Sequence, residues 1–356
     1  LARRLIGTEY RIKTKTTIDD YLTLSLLIFI GISGITTEAG RIALENFPDY
    51  EKWSFIGYAV GQFLNLSNPE LFHRISWVLH VVSFFVFLIA IPLSKLRHIF
   101  TSPINMFMSP KERPKGAMKF IGNLLEADDI DNVGTEIIDH FTWKQLMDLD
   151  ACTVCGRCTS VCPANQTGKS LDPREIILKV GQVMSESGQP AVPATVSTPG
   201  PLRVNSDNVF ERITSEELWA CTSCKACDEI CPVNIEILDK ILDMRRHLAL
   251  MESDFPAELG KAYVAMENSS NPWGASQNDR LKWTEDLDFE VPVIDESNHE
   301  EYDYLYWIGC AGAFDDRNVP VTKAVATLLK RAGVTFAVLG PKEVCTGDSA
   351  RRTGNE

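Results

Sequence analysis

Two short stretches decide the fold of this chain. They are Cys152–Pro163, with the sequence CTVCGRCTSVCP, and Cys221–Pro232, with the sequence CTSCKACDEICP. Both follow the pattern C-x2-C-x2-C-x3-C-P, in which three closely spaced thiolates hold one cubane cluster and the fourth, just before the proline, completes the other cluster. The spacing therefore predicts two 4Fe-4S clusters with crossed ligands: Cys152, Cys155, Cys158 and Cys231 for cluster 1, and Cys221, Cys224, Cys227 and Cys162 for cluster 2.

Zinc and disulfides are the alternative uses of these cysteines. Structural zinc normally takes two separated pairs of ligands, whereas each motif places four cysteines within eleven residues, so iron and sulfide are strongly favoured. Disulfides require an oxidising compartment, which the membrane topology argues against. A membrane-anchored zinc scaffold remains the non-redox alternative. Two clusters with no obvious substrate pocket indicate an electron relay.

The composition indicates a mixture of membrane and soluble parts. The chain has 356 residues, a formal charge of -13 and 45% hydrophobic residues, and its mean hydropathy is -0.06. The acidic balance argues against a nucleic acid partner, because phosphate binding needs a basic face. Because it begins at Leu1 and its last residues form no closing element, we expect an internal piece of a longer polypeptide.

Two uncharged apolar stretches predict transmembrane helices at about 18–37 and 75–94. Each is long enough, with its flanks, to cross a hydrocarbon core of about 30 Å. Thr17 and Asp20 resemble an N-terminal cap for the first helix. The alternative is a pair of buried core helices. A third stretch, Trp53–Leu66, contains polar residues and glycines and predicts an interfacial helix on the outer face.

Basic residues predict which side of the membrane each part occupies, because cytoplasmic loops near spans carry the excess of Lys and Arg. The two flanks are richer than the loop between the spans. Arg3, Arg4, Arg11, Lys13 and Lys15 precede the first span; Arg41, Lys52 and Arg74 lie between the spans; Lys95, Arg97, Lys111, Arg113, Lys115 and Lys119 follow the second. We therefore expect a bacterial or archaeal cytoplasmic membrane, with everything after Ser94 in the cytoplasm.

The predicted fold class is mainly α: transmembrane helices, then an α-helical ferredoxin with two 4Fe-4S clusters, then the start of an α/β domain. Asp172 predicts the cap of a helix to about Met184, and Asn234 the cap of a helix to about Met251. The predicted divisions are a membrane domain over 1–110, a linker over 111–140, the ferredoxin over 141–251, a linker over 252–300 and the truncated α/β part over 301–356. The last part predicts a βαβ unit from Tyr302–Ile308, Val319–Ala332 and Val334–Leu339.

Three histidines lie in or beside the second span. His80 and His98 are 18 residues apart, which is five helical turns, so on one helix they would face the same side about 27 Å apart. Pro92 lies between them and could kink the helix. An ionisable residue at membrane depth is usually functional, and a hydrogen-bonded structural role is the alternative to haem ligation. His73 lies at the outer surface, where it could handle protons.

The ferredoxin region resembles the α-helical ferredoxin domain in the iron–sulfur subunits of heterodisulfide reductases, glycolate oxidase and anaerobic glycerol-3-phosphate dehydrogenase. The stretch from His80 to Pro103 resembles the last helix of the nitrate reductase gamma-type cytochrome b. That resemblance implies b-type haems, with His80 as an axial ligand of the outer haem and His98 of the inner one. It also implies partner histidines on an earlier helix, outside this chain.

The C-terminal cysteines Cys310, in WIGCAG, and Cys345, in VCTGD, each follow a predicted strand, where α/β folds place ligand sites. Buried packing is their alternative role. Their surroundings resemble the first half of the cysteine-rich domain of heterodisulfide reductase-type proteins, although Thr346 stands where many members have a second cysteine. The resemblance makes both residues candidate ligands of a third iron–sulfur centre.

The order of the three parts resembles membrane-bound iron–sulfur oxidoreductases that work with electron transfer flavoprotein. The resemblance implies electron transfer between a flavoprotein, iron–sulfur centres, haems and menaquinone in a lipid bilayer. One alternative is a heterodisulfide or thiol-disulfide reductase. Another is a non-catalytic electron-transfer subunit whose partner is a glycolate, lactate or glycerol-3-phosphate dehydrogenase.

Overall fold

The computed structural model describes residues 17–114, 116–121, 133–187 and 207–355, which are mainly helical. The predicted basic residues before Thr17, and Lys115, lie outside the described residues. The helices are α1 Ile18–Leu44, α2 Phe55–Leu64, α3 Pro69–Leu93, α4 His98–Phe107, α5 Trp143–Ala151, α6 Arg157–Val161, α7 Pro163–Gln166, α8 Pro173–Ser187, α9 Ser215–Trp219, α10 Ala226–Glu229, α11 Ile237–His247, α12 Ala257–Ser269, α13 Gly309–Phe314, α14 Val319–Arg331 and α15 Asp348–Arg352. The strands are β1 Tyr304–Leu305 and β2 Phe336–Ala337.

Helices α1 and α3 are long and apolar enough to cross a membrane. Only 11% of the apolar window of each is buried inside the protein, so these helices do not form the core of a soluble domain. The cap of α1 is as predicted, since the Thr17 backbone N–H donates to the Asp20 carboxylate at 2.8 Å. Both helices extend beyond the predicted apolar limits, α1 at its carboxyl end to Leu44 and α3 at its amino end to Pro69.

Helix α2 forms within the predicted third stretch and packs against α1 through two glycines. A Cβ atom on Gly57 would lie 2.5 Å from a carboxylate oxygen of Glu38, and one on Gly61 would lie 3.1 Å from the Ala39 carbonyl oxygen. Larger residues at these positions would push the helices apart. The glycines in this stretch therefore allow close packing of α2 on α1.

The prediction that His80 and His98 lie on one helix is wrong. Helix α3 ends at Leu93, a 3-10 turn follows over Lys95–Arg97, and His98 begins α4. Pro92 removes one backbone donor from the last turn of α3, and the Ser94 hydroxyl oxygen accepts the Leu96 N–H at 3.2 Å, which caps the new turn. The separation of five helical turns therefore does not apply to these two histidines.

The ferredoxin region encloses its own apolar core. Asp172 caps α8 as predicted, because its carboxylate accepts the Arg174 N–H at 2.9 Å. The prediction for Asn234 is wrong: α11 begins at Ile237, and Asp228 accepts the N–H groups of Ile237 and Leu238 at 2.8 and 3.1 Å. The most buried core side chains are Leu171, Ile176, Ile177, Val180, Val209, Ile213, Leu218, Ile241 and Met244.

The C-terminal part forms the predicted βαβ unit, with strands shorter than expected. Strands β1 and β2 are parallel and pair Tyr304 with Phe336, and α14 connects them. The prediction of a linker over 252–300 is wrong, because this segment contains α12 and the 3-10 helix Gln277–Thr284. Trp283, which is 2% exposed, packs in the same apolar cluster as Phe336.

Candidate functional site

The two cysteine loops have the same backbone shape. Val154 and Gly156 in the first loop, and Ser223 and Lys225 in the second, have φ values of 54°, 77°, 54° and 61°. Left-handed geometry is uncommon for residues other than glycine, and its repetition at equivalent positions indicates a shared function. In the second loop this geometry directs the Ser223 N–H to the Cys221 sulfur at 3.4 Å.

The fold brings together cysteines from different motifs. Three cysteines of the first motif and the last cysteine of the second line one pocket, and these four are Cys152, Cys155, Cys158 and Cys231. Cys162, from the first motif, lies close enough to Cys221 to interact with it electrostatically, and so does Cys224. These are the crossed groupings that the spacing predicts.

Burial raises the pKa of several of these thiols. It raises the pKa of Cys152 to about 11 and that of Cys158 to about 12, and it raises the pKa of Cys227 in the second group. Metal binding requires thiolates, so binding of a cluster would displace the protons of these thiols. These soft sulfur ligands, of which only Cys155 and Cys224 are exposed, fit 4Fe-4S clusters.

Each cysteine group has one buried arginine beside it, but their charges are balanced differently. Arg174 lines the first pocket and lies 3.4 Å from the Asp172 carboxylate and 3.5 Å from that of Glu175. Arg245, which is 2% exposed, donates to the carbonyl oxygens of Leu218 and Cys221. Among the described residues, no carboxylate pairs with Arg245. Its charge therefore faces the second cysteine group without neutralisation.

Helix α4 connects the membrane part to the residues beside the first cysteine group. The hydroxyls of Thr101 and Ser102 each donate at 3.0 Å to the carbonyl oxygens of Asp150 and Ala151, respectively. The buried Asn105 side chain donates to the Val233 carbonyl at 2.9 Å. Ala151 precedes Cys152 and Val233 follows the Cys231-Pro232 pair, so α4 contacts both chain segments that hold this group.

His80 and His98 present the same ring nitrogen to their protein neighbours. The Ser33 hydroxyl oxygen lies 3.0 Å from His80 Nδ1 and 3.0 Å from the Ile30 carbonyl oxygen. His98 donates from Nδ1 to the Lys95 carbonyl. In both rings Nδ1 contacts the protein and Nε2 has no such contact among the described residues, so Nε2 is available to bind iron, which fits haem ligation. His73 lies 3.1 Å from the Thr37 carbonyl oxygen.

The C-terminal cysteines come together around a buried ion pair. Cys310 lies in the first turn of α13 rather than at the end of a strand, which corrects the prediction. Its sulfur accepts from Arg280 at 3.1 Å, and Arg280 pairs with Glu343 at 2.8 Å. Burial raises the pKa of Cys310, and Arg280 acts against that rise while the neighbouring Cys345 adds to it. The pair of adjacent thiols could hold a metal centre or react with a disulfide.

Sequence reasoning missed Arg245, Arg280 and Glu343. All three are about 2% exposed, and each is a single charged residue outside any motif. Only their burial in the fold marks them as site residues, because burying a charge costs free energy unless a partner compensates it.

Two domain families match this chain. Residues 1–113 match the nitrate reductase gamma subunit family, and residues 148–235 match the 4Fe-4S dicluster domain family. These matches support haem and iron–sulfur clusters as the classes of cofactor, and with α1 and α3 they indicate a membrane protein.

Curated relatives match nearly the whole chain. It is 36% identical, over 94% of its length, to the "Probable iron-sulfur-binding oxidoreductase FadF" of Bacillus subtilis, covering 50% of that protein. It is 33% identical, over 90% of its length, to the "EtfAB:quinone oxidoreductase" of Syntrophomonas wolfei, covering 46%. Over 60% of its length it is 30% identical to one subunit of the dihydromethanophenazine:CoB--CoM heterodisulfide reductase of Methanosarcina barkeri, covering 49% of that subunit.

The chain thus spans about half the length of the curated relatives it matches. The names of these relatives describe oxidoreductases, and the domain matches account for both the membrane helices and the cysteine motifs. The chain therefore combines a nitrate reductase gamma-type domain with a 4Fe-4S dicluster domain, and it is homologous to iron–sulfur oxidoreductases, among them a heterodisulfide reductase subunit.

Proposed function

We propose that this chain is the electron-transfer part of a respiratory oxidoreductase that links a cytoplasmic flavoprotein, similar to electron transfer flavoprotein, to menaquinone. The observation that carries the proposal is the contact of α4 with both segments that hold the first cysteine group. In this proposal, a cluster bound by that group would lie beside the helix that begins with His98. The S. wolfei relative, named for EtfAB and quinone, supports the choice of partners.

In this proposal each cysteine group holds one 4Fe-4S cluster. Cluster 1 takes Cys152, Cys155, Cys158 and Cys231, and cluster 2 takes Cys221, Cys224, Cys227 and Cys162. His98 would hold the inner b haem and His80 the outer one. Helix α1 carries no histidine, so the opposite ligands would come from other helices. The cofactors accept and pass single electrons, and the protein holds them in order.

The contacts of the C-terminal part support an order for these centres. Arg352 donates to the Ser223 carbonyl at 3.0 Å, and Arg245 donates to the Arg352 carbonyl at 2.8 Å. The C-terminal part, which contains the third centre proposed at Cys310 and Cys345, therefore contacts the loop of cluster 2. Helix α4 contacts the segments of cluster 1. The proposed order is third centre, cluster 2, cluster 1, inner haem and outer haem, with the soluble domains on the cytoplasmic side and His73 near the quinone.

Anaerobic mixing of the full-length protein with reduced electron transfer flavoprotein tests this function. We expect the clusters to be reduced before the b-type haem band appears, and we expect menaquinone to reoxidise the haem. The variants His80→Leu and His98→Leu should each remove one haem, whereas His140→Gln, outside the membrane helices, should keep both. A full-length protein with no b-type band would refute the scheme.

A second candidate function is thiol-disulfide reduction at the C-terminal part. The observation that favours it is the contact of Cys310 with Arg280 and Cys345, because Arg280 opposes the rise in the pKa of Cys310 that burial causes, and a thiol must ionise to attack a disulfide. The M. barkeri relative is named as part of a heterodisulfide reductase. Reoxidation of the reduced haems by a disulfide, but not by menaquinone, would select this function.

A further inference from the structure

A group of metal-ligating side chains lies apart from the cysteine groups, where α11 ends. His247 is the last residue of α11, Glu252 ends the π-helical turn that follows, and Glu136 comes from the segment before α5. One nitrogen of His247 and one carboxylate oxygen of each glutamate lie within 4.8 Å of one another. We propose that these three residues bind a zinc ion.

The imidazole of His247 gives evidence for a bound ion that the two glutamates, Glu136 and Glu252, do not give by themselves. His247 is 7% exposed, and its buried Nε2 has no hydrogen-bond partner among the residues that the structure describes. A buried ring nitrogen without a partner is costly, so its environment requires an explanation. This nitrogen points towards the two carboxylates, because Nε2 lies 3.7 Å from a Glu136 oxygen and 3.5 Å from a Glu252 oxygen.

These two distances suit two ligands of one ion better than a hydrogen bond. They exceed the usual N–H···O range, which ends at about 3.2 Å. Zinc binds imidazole nitrogen and carboxylate oxygen at about 2.0 to 2.2 Å, so neighbouring ligands in a tetrahedral site lie about 3.3 to 3.6 Å apart. Imidazole with carboxylates is a donor set that zinc accepts, and a fourth position would remain for water.

The neighbouring residues hold the ligands in place. Asn208 donates to Glu136 Oε1 at 2.6 Å, so the other oxygen, Oε2, is the one near His247. Phe210 stacks on the His247 ring with 5.7 Å between centroids. Such outer contacts are typical of metal ligands. Residues five apart on an α-helix point about 140° apart, and the π turn brings Glu252 closer to the direction of His247.

The site would join two chain segments at the end of α11. Glu136 lies just before α5, and His247 lies two residues after Arg245, which contacts the carbonyl oxygen of Cys221. A bound zinc ion would therefore stabilise the end of the helix that carries Arg245. This inference concerns a structural ion and does not depend on the proposed electron-transfer route.

Zinc binding to the anaerobically purified full-length protein tests the proposal. After incubation with zinc chloride and desalting, we expect one zinc ion per chain and no loss of iron. X-ray absorption at the zinc edge should show nitrogen and oxygen ligands at about 2.0 to 2.1 Å, without the sulfur distance of about 2.3 Å that a cysteine site would give. This distinction separates the site from zinc that has replaced iron.

The variant Glu252→Gln should weaken zinc binding at least tenfold with the iron content unchanged. Glu252 is about half exposed, so this variant is expected to fold even where His247→Gln does not. Glu258→Gln, at an exposed position six residues further along the chain, is the matched control and should bind zinc like the original protein. Failure to retain zinc, zinc bound only by sulfur, or unchanged binding by Glu252→Gln would each overturn the proposal.

Discussion

Replacing Arg245 by methionine should lower the reduction potential of cluster 2. Burial lowers the pKa of Arg245, and Cys221 opposes that shift, so the guanidinium and the sulfur ligands affect each other electrostatically. Adding an electron makes a cluster more negative, and a nearby cation stabilises that reduced state. Removing the cation therefore makes cluster 2 harder to reduce.

The size of the effect follows from the separation of the charges. The guanidinium bonds to the carbonyl oxygen of Cys221, itself a proposed ligand, so its distance from the cluster is on the order of 7 Å. With an effective dielectric constant of about 20, one charge at that distance contributes about 2.4 kcal/mol. For a one-electron couple this corresponds to a shift of about 100 mV to lower potential.

Anaerobic potentiometric titration, followed by electron paramagnetic resonance, measures this shift. Arg245→Lys keeps the charge and should restore most of the potential, which separates charge from hydrogen bonding. Arg174→Met is the matched control, because Arg174 lines the pocket of the first cysteine group; it should lower the potential of cluster 1 and leave that of cluster 2 unchanged. Iron analysis of each variant checks that both clusters are present.

The reasoning fails if Arg245→Met contains both clusters and neither potential falls by more than about 20 mV, well under the 100 mV expected from the charge. It also fails if Arg245→Lys shows the same shift as Arg245→Met, because the loss of hydrogen bonds would then be the cause. In either case the buried guanidinium would be a structural residue without influence on electron transfer.

Three further predictions follow from the contacts within the soluble part. Cys231→Ser should abolish the resonance signal of cluster 1 and keep that of cluster 2, and Cys162→Ser should do the reverse; uncrossed ligation would give the opposite pair of results. Asn105→Leu removes the side-chain donor to the Val233 carbonyl, so we expect the packing of α4 against the ferredoxin region to weaken by about 1 to 3 kcal/mol. Haem reduction should then slow in stopped-flow measurements while the iron content is unchanged. Lys240→Met breaks a fully buried ion pair with Asp148 and should lower the free energy of unfolding by about 3 to 5 kcal/mol in denaturant titrations. Burial alone would raise the pKa of Asp148, but Lys240 and Lys144 lower it overall, so this ion pair stabilises the protein above about pH 4. The loss of unfolding free energy caused by the mutation should therefore become smaller as the pH falls below about 4. A loss that does not change with pH would contradict the ion-pair explanation.

Local patterns determined most of the elements. The cysteine spacing predicts the two groups that the fold assembles, because short loops restrict which sulfurs can share one cluster. Apolar run length predicts α1 and α3, since a membrane span depends on composition over about twenty residues. The caps at Thr17 and Asp172 were also predictable, because capping depends on residues within one turn.

Only the tertiary structure decided how these elements meet. The break before His98 depends on Ser94 capping a new turn, and the cap of α11 comes from Asp228 rather than Asn234, which has a positive φ. Folding of the segment over 252–300 depends on Trp283 packing against a strand that lies some 50 residues further along the chain. Such contacts join distant residues, so no local pattern contains them.

The charged residues around the sites also could not be recognised from local sequence patterns. In the sequence, Arg245 and Arg280 are ordinary basic residues with no distinguishing neighbours. In the fold, one contacts a carbonyl beside the second cysteine group and the other contacts a cysteine sulfur, and both are almost fully buried. The sequence by itself determined which side chains can bind iron, because ligand chemistry resides in residue type and spacing. The tertiary structure decided which charges surround those ligands, because electrostatic influence depends on distance and burial.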